Sequence, residues 1–166
     1  MPPSPVIHLA DLTLTEQTHG DTFAARFAPV TPRTGSPHIG ARLTEVPPGK
    51  RAWPHHCHHA NDEMFVILSG SGTLRFGEET HAITAGDVAI CPAGGVDTAH
   101  QIINTGSEPL RYLAISSMNQ PDVMEYPDSN KLFVVAGSPP GGDKSKRTAE
   151  LIVKRDAGVD YWDGEG

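Results

Sequence analysis

The sequence predicts an all-β fold, a sandwich or barrel of many short strands. Three observations lead there. Gly (17) and Pro (15) together make up about a fifth of the 166 residues and are spread along the chain, so turns are frequent. No stretch from 38 to 117 sustains a 3.6-residue period. In its place stand roughly nine short strand patterns in about 80 residues, with turn signals at nearly every boundary.

In chain order, residues 1–36 are rich in Thr, Pro and Gly and form an N-terminal arm, with one strand near Thr22–Phe27. His38–Val46 is a strand closed by the turn Pro47-Pro48-Gly49. Ala52–His59 and Glu63–Leu68 follow, joined by Ala60-Asn61-Asp62. After the turn Ser69–Gly72, Thr73–Phe76 and Glu79–Thr84 flank Gly77-Glu78 as a tight hairpin. Asp87–Pro92, Thr98–Asn104 and Pro109–Ser116 are the remaining strands of this stretch; Arg111 and Tyr112 alternate, so one of them faces inward. The segment 119–131 reads as a polar loop, Leu132–Gly137 as a strand and 138–147 as a Gly/Pro-rich surface segment. Ala149–Ala157 fits a short helix or an edge strand. The expected organisation is an arm (1–36), a β-domain (37–118) and a C-terminal extension (119–166) packing on that domain or on a dimer partner.

A mass of 17.7 kDa suits one domain with its own core. No apolar run approaches ~18 residues, which excludes a membrane-spanning helix. The first residues lack the charged and apolar regions of a secretory signal, so the expected location is cytoplasmic. A net charge of −7 without a basic cluster argues against nucleic acid and anionic membranes as partners. Two cysteines, Cys57 and Cys91, do not make a disulfide framework.

The nine histidines are clustered: four fall within His55–His59. His56 and His58, two apart on a strand, share one face and form a bidentate metal platform. If Ala60-Asn61 is a two-residue turn, Glu63 lies across from His58, about 5 Å away at Cβ. If Ala60–Asp62 is instead a corner between packed sheets, Glu63 still opens the next strand and can face inward. His100 is the fourth candidate. Three imidazoles and a carboxylate suit one divalent transition metal per chain: Zn, Mn, Fe, Ni, Co or Cu. His55 and His59 have the opposite parity and are supporting or surface groups, unless the register shifts and makes them ligands. Cys57 is expected to pack in the interior.

The same residues carry a family resemblance. Gly49, six residues, His56-Cys57-His58, four residues, Glu63, six residues, Gly70 resembles the first motif of the cupin superfamily. Gly86, five residues, Pro92-Ala93-Gly94, five residues, His100, three residues, Asn104 resembles the second, with the loop Gly95–Ala99 three residues longer than usual. The resemblance spans about 49–104. It implies a small jelly-roll β-barrel of two antiparallel sheets with extended N- and C-terminal arms, a metal inside its mouth on His56, His58, Glu63 and His100, and a small-molecule ligand beside it. Asn104 would bond backbone rather than metal, and Trp53 would belong to the core or a dimer interface. By analogy with small cupins the chain is expected to be a homodimer.

A cupin barrel does not name a reaction. The leading expectation is a metal-dependent isomerase or lyase acting on a sugar phosphate, polyol or hydroxy/keto acid. The alternatives are an Fe(II)/O2-dependent dioxygenase and a non-enzymatic binding or sensor module. In the tail, Asp122, Glu125, Tyr126 and Asp128 are available. Tyr126 and Glu125 are the candidate acid–base groups if this segment folds over the mouth.

Overall fold

The structure, a computed structural model, describes residues 4–31 and 36–166; residues 1–3 and 32–35 of the expected arm lie outside the described residues. The strands are β1 (Thr15–His19), β2 (Phe23–Pro29), β3 (Ile39–Val46), β4 (Cys57–His58), β5 (Glu63–Ser69), β6 (Ser71–Phe76), β7 (Glu79–Thr84), β8 (Val88–Cys91), β9 (His100–Ile103), β10 (Leu110–Ser117), β11 (Asp122–Tyr126), β12 (Lys131–Ala136) and β13 (Ala149–Lys154).

They form three antiparallel sheets, ordered β1-β2-β3-β10-β5-β8, β13-β12-β11-β4 and β7-β6-β9, and none closes on itself. This corrects the expected two-sheet closed barrel. The reason lies in residues 51–58. Among the described residues, backbone pairing joins this segment to β9 only through isolated bridges, Arg51 to Ile103 and His56 to His100. Pro54 sits between them and has no N–H to contribute to a ladder. The seam is therefore two bridges rather than a paired edge, and β4 shrinks to two residues that join β11 instead.

Before β3, the chain makes a β1–β2 hairpin that extends the sheet, where one strand was expected. Every residue of β1 is exposed, so no hydrophobic alternation could announce it. In the tail, 122–126 is a strand rather than a loop, with Asp122, Met124 and Glu125 buried. Ala149–Lys154 is the edge strand of the two readings open for it.

Strand alternation sorts the side chains. The main core gathers Val46, Phe65, Ile67, Leu74, Cys91, Ile102, Leu110 and Tyr112, with Trp53 packed against it. Tyr112 is the inward member of its pair; Arg111 turns outward to Glu45. On the other face, Leu43 packs with Leu12 and Ala28, beside Ile7, Leu9, Leu14 and Val30 from the N-terminal segment. Gly70 is required between β5 and β6: its φ is +82°, and a Cβ there would stand 2.6 Å from the Pro109 carbonyl oxygen. Gly77 opens the predicted β6–β7 hairpin at φ +55°, where a Cβ would meet Asp97 O at 2.6 Å.

Candidate metal centre

Three secondary elements converge on one point. The bridge between His56 and His100, closed by His56 N to His100 O (3.2 Å) and His100 N to His56 O (2.7 Å), sets those rings 4.9 Å apart. β4 presents His58, and β5 opens with Glu63. β4 and β5 lie in different sheets, so Ala60–Asp62 is the inter-sheet corner and not a hairpin turn. Buried side chains hold that corner. Asp122 accepts from Ala60 N (2.9 Å) and from Asn61 Nδ2 (2.8 Å), while Asn61 Oδ1 accepts from Asn119 N (2.7 Å) and the Ser117 hydroxyl (3.1 Å).

Each of the three histidines spends Nδ1 on an acceptor. His56 donates to Pro54 O (2.8 Å), His58 to Asp122 Oδ2 (2.6 Å) and His100 to Thr98 O (3.1 Å). Every Nε2 is thereby turned toward one carboxylate oxygen, Glu63 Oε2, at 3.8, 3.6 and 2.7 Å respectively. His56, His58 and Glu63 offer ligand atoms that all lie within 4.8 Å of one another. His100 is not in that triple; it hydrogen bonds Glu63 directly. The His/His/Glu cluster could coordinate a divalent metal. Its donors are imidazole and carboxylate, and anchored Nδ1 atoms are the usual way a protein presents Nε2 to an ion. Asn104 bonds backbone only, at Val46 O, Glu108 O and Gly106 N.

A family model described as a cupin domain matches residues 42–116, the stretch that holds all four of these side chains. Residues 42–116, a little under half of the chain, are a cupin domain. The chain's fold follows that of a provisionally assigned sugar phosphate isomerase from Acidithiobacillus ferrooxidans, with a TM-score of 0.75 and 26% identity over 91% of both chains. A sugar phosphate isomerase of the cupin superfamily from Silicibacter pomeroyi matches with a TM-score of 0.72 over 96% of this chain and 98% of that one; at 18% identity this likeness concerns the fold alone. Among curated sequences, auxin-binding protein 1 of Arabidopsis thaliana is 36% identical over 77 residues, 42% of this chain. An uncharacterised protein of Streptomyces coelicolor is 37% identical over 59 residues, 36% of this chain. The matches span only 38% and 52% of the lengths of these two curated relatives.

Of the two candidate acid–base groups, Tyr126 lies against the cluster and Glu125 does not. Tyr126 stacks on His56, with centroids 5.8 Å apart and planes 19° from parallel. Burial, and then the charges of Asp122 and Glu63, push its hydroxyl up to about 12, so it is protonated at neutral pH. Glu125 sits on the other face of β11, where it binds His59 Nε2 (2.7 Å) and the Arg155 guanidinium. Asp128 holds Arg75 through two bonds of 2.7 and 2.8 Å. His55 is buried, 3.7 Å from Asp128 Oδ1. The lengthened loop makes a 3-10 turn at Val96–Thr98, and its Thr98 carbonyl orients His100. Asp122 is the residue whose role behind His58 the sequence did not reveal. Its segment carries no motif, and the contact crosses 64 residues.

Charge in the cluster is strongly coupled. Burial works against the Glu63 carboxylate, but the His100 hydrogen bond and the charges of His58 and His56 outweigh it and hold the group at about 2. Burial likewise works against charge on His100, but the neighbouring Cys91 and the hydrogen-bonded Glu63 carboxylate raise it to about 10. His56 is lowered by burial to about 4, despite Glu63. For metal-free protein the linkage follows. The His100 contribution is complete below the ordinary 6.5 and drains away as pH climbs to about 10. The Glu63 contribution is complete above the ordinary 4.5 and is lost as pH falls to about 2; that of His56 is complete above 6.5 and lost toward about 4. Chelator-treated protein is thus expected to be most stable near pH 6.5, with Glu63→Gln flattening the alkaline limb. Urea midpoints between pH 4 and 10 check this; an alkaline limb unchanged in the variant contradicts it.

Proposed function

We propose that this cupin is a metal-dependent isomerase or lyase acting on a small oxygen-rich substrate, with His56, His58, Glu63 and His100 holding one divalent transition metal. The observation that carries the reading is the convergence of three anchored imidazoles on Glu63 Oε2. An ion held there would act as a Lewis acid, polarising substrate oxygens. The chain's own residues supply the rest. Asp122 fixes the His58 ring, and Tyr126, kept protonated over His56, is placed to donate a proton to a substrate oxygen rather than to remove one. Isomerisation is favoured over elimination by the end-to-end likeness to the A. ferrooxidans protein, whose description names a sugar phosphate.

The test begins with elemental analysis of untagged protein, where about one transition-metal ion per chain is expected. Turnover of sugar phosphates, polyols or hydroxy acids should then vanish on chelation and return with metal. Undiminished turnover in metal-free protein defeats the proposal. The partial likeness to auxin-binding protein 1 favours a second reading, a small-molecule binding module. That reading predicts saturable ligand binding with no conversion of the ligand.

A further inference from the structure

Arg42 stands out among the arginines. Arg26, Arg75, Arg111, Arg147 and Arg155 each meet a carboxylate, and Arg51 bonds Gln101. Arg42 takes part in no ion pair and no side-chain hydrogen bond among the described residues. The residues outside the description contain no Asp or Glu, so no acid of the chain is overlooked. In a chain with 20 acidic residues, an inward arginine without one is not explained by scarcity.

Its setting is built rather than accidental. Arg42 lies on β3 opposite Ala114 of β10, whose other neighbour is Phe65 of β5. Its Cζ stands 5.1 Å from the Phe27 ring centroid and 4.9 Å from that of Trp53. Stacked so, a guanidinium is held in orientation, and ring faces cannot accept its N–H groups as a carboxylate or phosphate does; one terminal nitrogen lies beside Gly141, 3.5 Å from where a Cβ would stand there. Burial disfavours its charge, against the smaller support of Glu63 and then Tyr112. Trp53 and Tyr112, with His56 and His100, line one small internal pocket. Glu63 is the next inward position before Phe65 on β5. Two strand spacings and a two-residue offset put the Arg42 and Glu63 Cα atoms about 12 Å apart.

We propose that Arg42 is the anion-binding residue of this site, its guanidinium edge receiving the oxyanion of a substrate whose other oxygens face the Glu63 cluster. The assignment rests on the reading of that cluster as the reaction centre. A phosphate ester and a carboxylate share the required chemistry, and the test separates them.

Trp162 is 71% exposed, so Trp162→Phe leaves Trp53, beneath Arg42, as the sole indole. In that background, chelated and Co(II)-loaded protein are titrated with inorganic phosphate and, separately, acetate, at ionic strength held constant with chloride. A saturable change in Trp53 emission is expected, weakened at least tenfold by Arg42→Met and less by Arg42→Lys. Saturation by phosphate alone assigns a phosphate ester, and by acetate alone a carboxylate. No saturation with either anion, or equal affinity in Arg42→Met, overturns the proposal. If Arg42→Met does not fold by circular dichroism, the decision falls to Arg42→Lys, and an affinity equal to that of the parent overturns it. The Co(II) spectrum reports the metal separately: Arg42-dependent phosphate binding without Co(II) uptake removes the metal reading and leaves this one standing.

Discussion

Asp122→Ala is expected to weaken metal binding about 10–100-fold, the usual cost of losing the group that orients a ligating imidazole. It should also destabilise the protein by about 3–5 kcal/mol, the scale for breaking a buried charged network from one side. Both effects come from one carboxylate. Asp122 is 1% exposed; burial alone would raise its pKa, but bonds from His58, Asn61 and the Ala60 amide hold it below the ordinary carboxylate range. Removing it frees the His58 ring to rotate and orphans the Ala60 N–H in the corner that carries the chain from β4 to β5. Chelator competition measures the first effect and urea unfolding the second. Metal affinity within twofold of the parent would show that His58 does not depend on this bond, and would remove the argument from anchored imidazoles.

His58→Ala should lower metal affinity about a hundredfold or more, beyond the effect of losing its orienting partner. The neighbouring His59→Ala should leave metal content unchanged. The two residues are adjacent and identical in chemistry, so the contrast isolates direction. His58 is buried with Nε2 3.6 Å from Glu63, whereas the His59 side chain is 43% exposed and tied to Glu125 on the far face of the strand. Equal loss in both variants would mean that a run of imidazoles binds metal loosely at the surface. The proposed ligand set would then be withdrawn.

How much of this was legible in the sequence differs from residue to residue. His56 and His58 share a face because side chains alternate along extended backbone, and that holds whatever the strand pairs with. Gly70 and Gly77 marked turns because their backbone conformations exclude a Cβ. β1 was not legible, because an exposed polar strand leaves no hydrophobic pattern. Nor was β11, because Asp122 and Glu125 look like solvent-facing acids until their partners, His58, Asn61, His59 and Arg155, arrive from distant parts of the chain.

Local rules of parity, turn geometry and motif spacing therefore determined, from the sequence alone, an all-β chain, its family and which side chains were candidates to meet. Tertiary structure decided what no local rule contains. It left the sheets unclosed, because a proline interrupts the seam at residues 51–58. It made Ala60–Asp62 a corner, set a carboxylate behind His58 and left Arg42 between two rings without an acid. The physical reason is that hydrogen bonds and burial act through space. A polar residue's role is set by what the fold brings beside it, and for Asp122 that neighbour lies 64 positions away.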